Sequence, residues 1–253
     1  MAWNPIQYLK FAGPRLQPGL DLIARLPDAR AERVVDLGCG TGQLTALLGE
    51  RFPGAAVAGV DSSPEMLAKA AEAHPGIVWR QDDIATWTPG QPVDVIYSNA
   101  ALQWLPSHET LLPRLVGQLT PGGVLAVQMP RNFRAPSHAA MRATAADGPW
   151  KGRIALREEP VLPPEAYYDL LAPRVASLEI WETEYLHVLE GPSPVLEWTR
   201  GTALLPVFEA LEGQELEDFI ADYSRRLDRA YPVRPDGRTL FPFRRIFLLA
   251  RAA

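Results

Sequence analysis

The fold is decided by residues 34–61, which read VVDLGCGTGQLTALLGERFPGAAVAGVD. The stretch opens with an apolar run of strand length, passes through a glycine-rich turn into a segment with helical spacing, and ends in a second strand-like run. Two strands joined through a helix lie parallel in one sheet, with a right-handed crossover. The stretch therefore predicts a βαβ unit whose glycine-rich turn lies at the carboxyl end of its first strand.

The same alternation extends along most of the chain. An amphipathic helix is predicted before the first strand, and two late strand-like runs can complete the sheet. Strands that alternate with helices at this pace place helices on both faces of one sheet. The sequence thus predicts an α/β fold with a Rossmann-like, doubly wound, seven-stranded and mostly parallel sheet. The predicted further elements are helices over 16–26, 65–73 and 108–118 and strands over 77–80, 93–98, 124–129, 175–189 and 243–252.

The regular alternation ends after Pro130. We expect one domain over residues 1–253, with residues 31–130 as its cofactor-binding core. Residues 131–172 and 191–233 are largely helical in spacing, without interleaved strands. These two segments are predicted to be helical insertions that cover the substrate site.

Bulk composition excludes several classes of function. Hydrophobic residues make up 47% and charged residues 22% of the 253-residue chain, which is ordinary usage for a globular protein. The net charge is −5, and basic pairs such as Arg225-Arg226 are too short to follow a phosphate backbone, so we expect no nucleic acid partner. No apolar run approaches the roughly 20 residues of a membrane-spanning helix, and the first residues lack an apolar segment of signal-peptide length. We therefore expect a cytoplasmic protein that binds no membrane. We also expect a monomer, although no sequence feature identifies the oligomeric state.

Cys39 is the chain's one cysteine, which forbids an internal disulfide and a multi-cysteine zinc site. We expect no metal. Because no base is spaced to activate the thiol, Cys39 is predicted to pack beneath the glycine-rich turn and not to act as a nucleophile.

The glycine-rich turn indicates which ligand it binds. Its glycines fall at 38, 40 and 42, whereas the dinucleotide fingerprint needs its third glycine at the position of Gln43. A nicotinamide cofactor, and with it an oxidoreductase, is therefore disfavoured. Asp36 precedes the turn, where a carboxylate would repel a pyrophosphate but accept hydrogen bonds from an ammonium group, directly or through water.

Two further acidic sites follow at successive strand ends. Asp61 ends the second strand, where a carboxylate can accept hydrogen bonds from both ribose hydroxyls. Asp83 follows the third strand and can accept from the exocyclic amine of adenine, while Ile84 covers the ring. Ammonium, ribose and adenine together describe S-adenosylmethionine. The predicted cofactor-binding residues are Asp36, Gly38, Gly40, Gly42, Asp61, Ser62, Met66, Asp83, Ile84, Asn99 and Trp104.

Together with the run SNAALQWLP at 98–106, these residues resemble the class I methyltransferases. A narrower resemblance, to the trans-aconitate 2-methyltransferase family, covers nearly the whole chain. Thr41 stands where we expect proline in relatives, which affects only the rigidity of the loop. The motifs that carry the narrower resemblance are LPRL at 112–115, PGGVL at 121–125, VQMP at 127–130, EWTRGT at 197–202 and PFRR at 242–245.

The resemblance implies methyl transfer to a carboxylate of a small polycarboxylic acid such as trans-aconitate, giving a monomethyl ester. A carboxylic acid with a pKa of about 4 is ionised at neutral pH, so we expect no general base. The carboxylates that are not methylated need cationic anchors, which arginine provides. The predicted substrate-binding residues are Tyr8, Gln103, Trp198, Arg200, Arg244 and Arg245. Tyr8, with Phe11, is also a candidate lid over the cofactor.

Several alternatives stay open at the level of sequence. The acceptor can be another small-molecule acid, an amine or a phenol, and a non-catalytic S-adenosylmethionine-binding protein has the same cofactor motifs. Each predicted arginine can instead form a surface ion pair, and Trp104 can instead pack in the core. The sequence does not identify the modified carboxylate or assign separate roles to Arg244 and Arg245.

Overall fold

The computed structural model describes residues 12–28, 30–157 and 159–253. The described strands are β1 (Arg33–Leu37), β2 (Ala56–Asp61), β3 (Val78–Gln81), β4 (Val93–Asn99), β5 (Leu119–Pro130), β6 (Val175–Leu189) and β7 (Thr239–Ala252). The described α-helices are α1 (Ala12–Arg25), α2 (Gln43–Arg51), α3 (Pro64–Ala73), α4 (His108–Val116), α5 (Pro136–Asp147), α6 (Pro164–Leu171), α7 (Pro194–Arg200), α8 (Leu205–Ala210) and α9 (Gly213–Ala230). Short 3-10 helices are formed by Leu102–Trp104 and Ala172–Arg174.

The strands form one seven-stranded sheet in the order β3-β2-β1-β4-β5-β7-β6. Neighbours from β3 to β5 are parallel, and β7 pairs antiparallel with β5. The predicted α/β fold with a doubly wound, seven-stranded and mostly parallel sheet is therefore confirmed. Strand order reverses between β1 and β4, and open sheets of this kind bind ligands outside the carboxyl ends of the strands at such a reversal.

Local sequence explains the predicted βαβ unit. Strand β1 is buried from Val34 to Leu37, as expected for a parallel strand with helices on both faces. Gly42 is the N-cap of α2 with φ of 81°, a left-handed conformation that favours glycine. At the next helix the Ser63 hydroxyl accepts from the amide of Met66 at 3.3 Å, and Pro64 stands at the first helical position, where it needs no donor.

Strand β5 begins earlier than its sequence predicts. We expected a turn at 121–123 and a strand from 124, but both lie inside a strand that begins at Leu119. Leu119 pairs with Val93 and Val124 with Val95, so one residue of β4 opposes four residues of β5. The Pro-Gly-Gly sequence thus forms a bulge within the ladder and does not end it.

Residues 193–229 are helical, but they form three helices. Gly201 is the C-cap of α7. Pro206 lies in the first turn of α8, where a missing amide is tolerated, and Gly213, with φ of 55°, begins α9. The breaks therefore fall at the residues that favour helix ends.

The chain divides into two compact units. The sheet unit contains Leu16–Pro130, Pro160–Thr183 and Arg245–Ala253, and the helical unit contains Arg131–Glu159, Glu184–Arg244 and, of the described residues before Leu16, Ala12–Arg15. Helix α6, which we had assigned to the cover segment 131–172, belongs to the sheet unit. The single-domain organisation and the covering role of 131–172 and 191–233 stay predictions.

Each unit has its own hydrophobic core. The core of the sheet unit includes Leu37, Ile96 and Val127 from the strands and Tyr167 from α6. The core of the helical unit is rich in aromatic rings, and its main helix contributes one buried face. Among the helices of the described residues, none is long and apolar enough to span a membrane. The aromatic core residues of the helical unit are Trp150, Trp198, Phe219, Tyr223, Tyr231, Phe241 and Phe243.

Candidate functional site

The three glycines of the turn all have positive φ, of 78° at Gly38, 55° at Gly40 and 81° at Gly42. A Cβ atom at Gly38 would lie 2.2 Å from the Cβ of Ala101, and one at Gly42 would lie 2.4 Å from the Trp79 ring. Neither distance is possible for a real side chain. The turn therefore needs glycine for its conformation and for close approach, as a loop that admits a ligand to its backbone does.

Hydrogen bonds tie the turn to the end of β2. The amide of Gly38 donates to the carbonyl of Val60 at 2.8 Å. The Asp61 carboxylate accepts from the amide of Gly40 through Oδ2 and from the amide of Ser63 through Oδ1, each at 2.9 Å. Because a carboxylate has about four acceptor positions, Asp61 can still accept from the two hydroxyls of a ribose.

Asp36 lies beneath the turn with 2% of its surface exposed. Its Oδ2 accepts from the Thr45 hydroxyl at 2.6 Å. Burial raises the pKa of Asp36 to about 7, against the lowering effect of Thr45, and the Asp61 charge raises it further. A cation bound nearby would favour the carboxylate, so this site is suited to an ammonium group.

The Cys39 thiol is buried, and its Sγ would lie 2.9 Å from a Cβ at Gly59. Burial raises the pKa of this thiol far above its ordinary value, and the charges of Asp36 and Asp61 raise it further. A thiol held protonated is a poor nucleophile. The structure therefore supports a packing role for Cys39.

The loop after β3 carries the predicted adenine contacts. Asp83 is exposed, and its Oδ1 accepts from the amide of Ala85 at 2.9 Å, while Ile84 is half-buried. Arg114 of α4 donates to the carbonyls of Ile84 at 2.8 Å and Ala85 at 3.0 Å, and also to that of Trp87. Sequence reasoning missed this arginine, because nothing local connects residues 30 positions apart.

Trp79 is a second residue that sequence reasoning missed. Its ring fills the space that a Cβ would need at both Gly42 and Gly59. Its Nε1 donates to the carbonyl of His74 at 3.2 Å. A glycine inside a strand often marks such a close approach, so Gly59 was the available signal.

Ser62 and Met66 flank the glycine turn. Ser62 is exposed and its carbonyl accepts from Gln81 at 3.3 Å, while Met66 is half-buried. The methyl group of Met66 lies 3.7 Å from the position of a Cβ at Gly40. The position of Met66 thus agrees with a place at the edge of a ligand held by the turn.

The end of β4 carries polar atoms in a strained backbone. Ala100 has φ of 54°, and its carbonyl accepts from Gln103 Nε2 at 2.7 Å. Within the described part of the chain, Asn99 Oδ1 and Gln103 Oε1 are buried and have no hydrogen-bond partner. Trp104 is 42% exposed, which makes core packing an incomplete account of this residue. Orphaned buried acceptors suit a ligand that brings donors.

The sheet unit therefore brings all eleven predicted cofactor residues to the carboxyl ends of β1 to β4 or to the loops and first helical turns that follow. A crowded glycine cradle, a buried carboxyl and unpartnered acceptors fit a nucleoside with an ammonium group. Across residues 12–28, 30–157 and 159–253, no cluster of three His, Cys, Asp or Glu side chains is arranged to hold a metal ion.

The predicted substrate residues are divided between the two units. Gln103 and Arg245 belong to the sheet unit, and Trp198, Arg200 and Arg244 to the helical unit. Tyr8, together with the lid predicted from Tyr8 and Phe11, lies outside the described residues.

The three arginines differ in their surroundings. Arg200 forms an ion pair with Glu197 at 2.8 Å, and Arg244 one with Glu184 at 3.9 Å, and both arginines are partly exposed. Arg245 is buried, with Nη1 donating to Gln128 Oε1 at 3.4 Å. Only the buried arginine lies in the unit that holds the cofactor residues.

Trp198 is buried in the aromatic core of the helical unit. Its ring stacks on His187 with a centroid distance of 4.6 Å. The Arg15 guanidinium lies 4.9 Å from the Trp198 ring, and Arg15 also donates to the carbonyl of Trp198 at 3.2 Å. Its predicted role as a wall of the acceptor site stays a prediction.

Comparison with known proteins identifies close relatives. Residues 34–123 match a family model described as a methyltransferase domain. The trans-aconitate 2-methyltransferase of Azoarcus sp. is 52% identical over 250 residues, which cover 98% of both chains. That of Methylobacterium radiotolerans is 47% identical over 256 residues, which cover 99% of this chain and 98% of the relative.

Solved structures agree on the fold. The YcgJ protein of Bacillus subtilis superimposes with a TM-score of 0.61 at 14% identity, over 93% of this chain and 98% of that one. A phosphoethanolamine N-methyltransferase of Haemonchus contortus superimposes with a TM-score of 0.57 at 17% identity, over 98% of this chain and 56% of that one. At these identities the likeness shows the fold alone.

Proposed function

The chain belongs to the trans-aconitate 2-methyltransferase family, and from this membership we propose that it methylates one carboxylate of trans-aconitate with S-adenosylmethionine. The products are a monomethyl ester and S-adenosylhomocysteine. The observation that carries the proposal is that relatives of this name match over 98% or more of the chain, through both units.

The sheet unit supplies the residues that would hold the cofactor. In this proposal Asp61 accepts from the ribose and Asp36 from the ammonium, while Asp83 and Ile84 contact the adenine; the bonds from Gly40 to Asp61, from Thr45 to Asp36 and from Ala85 to Asp83 support these roles by orienting the carboxylates. S-adenosylmethionine, when bound, supplies an electrophilic methyl group on a positively charged sulfur. Glycine at 38 allows the left-handed backbone and the close approach of Ala101, and the turn shaped in this way would face the cofactor with its backbone.

The acceptor needs no catalytic base. Its carboxylate is ionised at neutral pH and is its own nucleophile, so no proton has to be removed. The residues of the chain then have two tasks, which are to align the acceptor oxygen with the methyl group and to exclude water. We infer that the arginines do the first, with the buried Arg245 as the main anchor, and that Gln103 orients the acceptor or the methionine end of the cofactor. Trp104 and Trp198 are the predicted walls, and Tyr8 is a predicted substrate contact.

The test is methyl transfer from labelled S-adenosylmethionine to a panel of acids that contains trans-aconitate, cis-aconitate, citrate and tricarballylate. We expect trans-aconitate to be the best acceptor and the product to release methanol in mild base, since esters hydrolyse there. A base-stable product would exclude an ester and contradict the proposal. Cofactor binding without transfer to any member would favour a non-catalytic role and contradict the proposal.

We further infer that the protein acts as a monomer in the cytoplasm. The single cysteine suits a reducing compartment. Light scattering coupled to size exclusion is expected to give the 27.9 kDa of one chain. Cell fractionation is expected to recover the activity with the cytoplasmic proteins, and a dimer mass or a membrane-associated activity would contradict these inferences.

A further inference from the structure

A set of polar side chains in the sheet unit, which we call the polar cluster, consists of Asn99, Gln103, Gln128 and Arg245. Gln103, Gln128 and Arg245 are buried, and Asn99 is half-buried with its Oδ1 enclosed. Asn99 on β4 pairs in register with Gln128 on β5. Arg245 on β7 pairs with Pro130, two residues beyond Gln128. Because side chains in a strand alternate with a period of two, Asn99, Gln128 and Arg245 lie on the same face of the sheet.

The contact with Arg245 fixes the orientation of the Gln128 amide. A guanidinium group has donors only, so the atom that faces Arg245 Nη1 at 3.4 Å must be the oxygen Oε1. The nitrogen Nε2 then points the other way. Gln128 is 0% exposed, and Nε2 has no hydrogen-bond partner among the described residues. A buried amide left without an acceptor is unfavourable, which indicates that a ligand provides one.

Two orphaned acceptors of the polar cluster have the opposite preference. Asn99 Oδ1 and Gln103 Oε1 are acceptors, and their lone pairs would repel a carboxylate. These oxygens suit the donors of the cofactor. Gln128 Nε2 is an orphaned donor, and beside it lies the positive charge of Arg245. An amide N–H next to a guanidinium is a site for an anion.

We propose that Gln128 determines specificity for the acceptor by donating from Nε2 to a carboxylate of trans-aconitate that is not methylated. Its Oε1 meanwhile orients Arg245 toward the same carboxylate. This inference rests on the methyl transfer proposed above. Because Nε2 is buried, the new hydrogen bond forms away from bulk water, where it is strong.

The test compares Gln128→Glu and Gln128→Met with the natural protein. Glutamate keeps an oxygen facing Arg245 but puts a second, negatively charged oxygen where Nε2 was, and methionine keeps the volume without either hydrogen bond. We expect the KM for trans-aconitate to rise roughly 10- to 100-fold in both variants, with the larger rise for glutamate. The affinity for S-adenosylhomocysteine should change less than about twofold. The preference for tricarboxylates over dicarboxylates should shrink.

Gln91→Glu is the matched control. The exposed Gln91 likewise accepts from an arginine, Arg33 Nη1, at 2.7 Å, but it lies just before the amino end of β4, away from the carboxyl ends of the strands. Gln91→Glu should leave the KM for trans-aconitate and the affinity for S-adenosylhomocysteine unchanged. If the natural protein methylates no acid, the proposed function fails. If it methylates trans-aconitate but the Gln128 variants keep its KM and acceptor preference, the assignment of Gln128 fails while the proposed function stands. Loss of S-adenosylhomocysteine binding in both variants would also overturn the assignment, since Gln128 would then be needed by the fold.

Discussion

The amide of Gly40 and the carboxylate of Asp61 are joined by a hydrogen bond of 2.9 Å, which connects the glycine turn after β1 to the end of β2. The Asp61 side chain thus fixes the conformation of the glycine turn and can still accept hydrogen bonds from a ligand with its remaining lone pairs. The same carboxylate also accepts from the amide of Ser63. Cofactor affinity and local stability are therefore linked at Asp61.

Asp61→Ala is expected to weaken binding of S-adenosylhomocysteine roughly 100-fold, because two charge-assisted hydrogen bonds to ribose are lost. It should also lower the free energy of unfolding by about 1–3 kcal/mol, since two backbone amides lose their acceptor. Calorimetry and urea denaturation measure the two effects. Asp94→Ala is the control, because Asp94 accepts from the amides of Glu32 and Arg33 at 2.8 and 2.9 Å, at the amino end of β4. It should destabilise the fold without changing affinity.

The buried Asp36 is expected to make stability depend on pH. Its pKa of about 7 in the folded state is above the ordinary value of 3.8, so the folded state binds more protons than the unfolded state between these values. Its contribution is therefore complete below about pH 4 and is lost as the pH rises through 7, with a slope of at most about 1.4 kcal/mol per unit. Denaturation of ligand-free protein at several pH values measures the slope. Asp36→Asn should remove the part of this pH dependence that is due to Asp36.

The same carboxyl group should couple cofactor binding to proton release. An ammonium group stabilises the charged form, so affinity for S-adenosylhomocysteine should increase up to about pH 7 and then level off. Calorimetry at pH 6 in buffers with different ionisation enthalpies should detect close to one proton released per ligand. No proton release at pH 6 would place the ammonium away from Asp36.

Gly38→Ala is expected to abolish cofactor binding and to lower the free energy of unfolding by about 3 kcal/mol or more. Left-handed backbone costs about 1–2 kcal/mol for alanine, and the new Cβ would also collide with Ala101. Gly54→Ala is the control, because Gly54 has φ of 89° but a Cβ there meets nothing within 4 Å. It should show the backbone cost alone. Equal free energies of unfolding for the two variants, measured by urea denaturation, would contradict the prediction. The glycine turn would then shift to accommodate the new Cβ beside Ala101 at no cost in stability.

Arg114→Ala is expected to raise the KM for S-adenosylmethionine roughly 10- to 100-fold and to leave that for trans-aconitate unchanged. The arginine holds three carbonyls of the loop that carries Ile84, so its loss frees the adenine contacts and not the acceptor site. Arg174→Ala serves as control, since Arg174 donates to the helix carbonyl of Leu170 at 2.7 Å. A similar rise in the KM values for S-adenosylmethionine and trans-aconitate would contradict this prediction. It would show that loss of Arg114 disturbs the fold as a whole and not the loop of Ile84 alone.

The features predicted from sequence are those with local causes. Gly42 and Ser63 cap their helices because of their own backbone and side-chain chemistry. Asp36 and Asp61 come close together because the carboxyl ends of parallel strands share one edge, which strand order alone implies. For this reason both the sheet and the neighbourhood of the acidic residues were predictable.

The features that sequence did not reveal depend on neighbours far along the chain. Arg244 and Arg245 are adjacent, and the period of a strand places them on opposite faces, but it does not say which face is covered. The structure leaves Arg244 half-exposed and buries Arg245 beside Gln128. Trp79 likewise packs on Gly42 through the pairing of β2 with β3, which no local pattern encodes.

The reactivity of the buried Cys39 thiol reports on the opening of the glycine turn. A protonated thiol enclosed under the loop reacts with alkylating reagents only when the loop lifts away. Since Cys39 is the chain's one cysteine, its rate of alkylation measures how often the glycine turn opens, without any engineered probe. For the same reason mild oxidants should spare this enzyme, and its preparations should keep their activity in air.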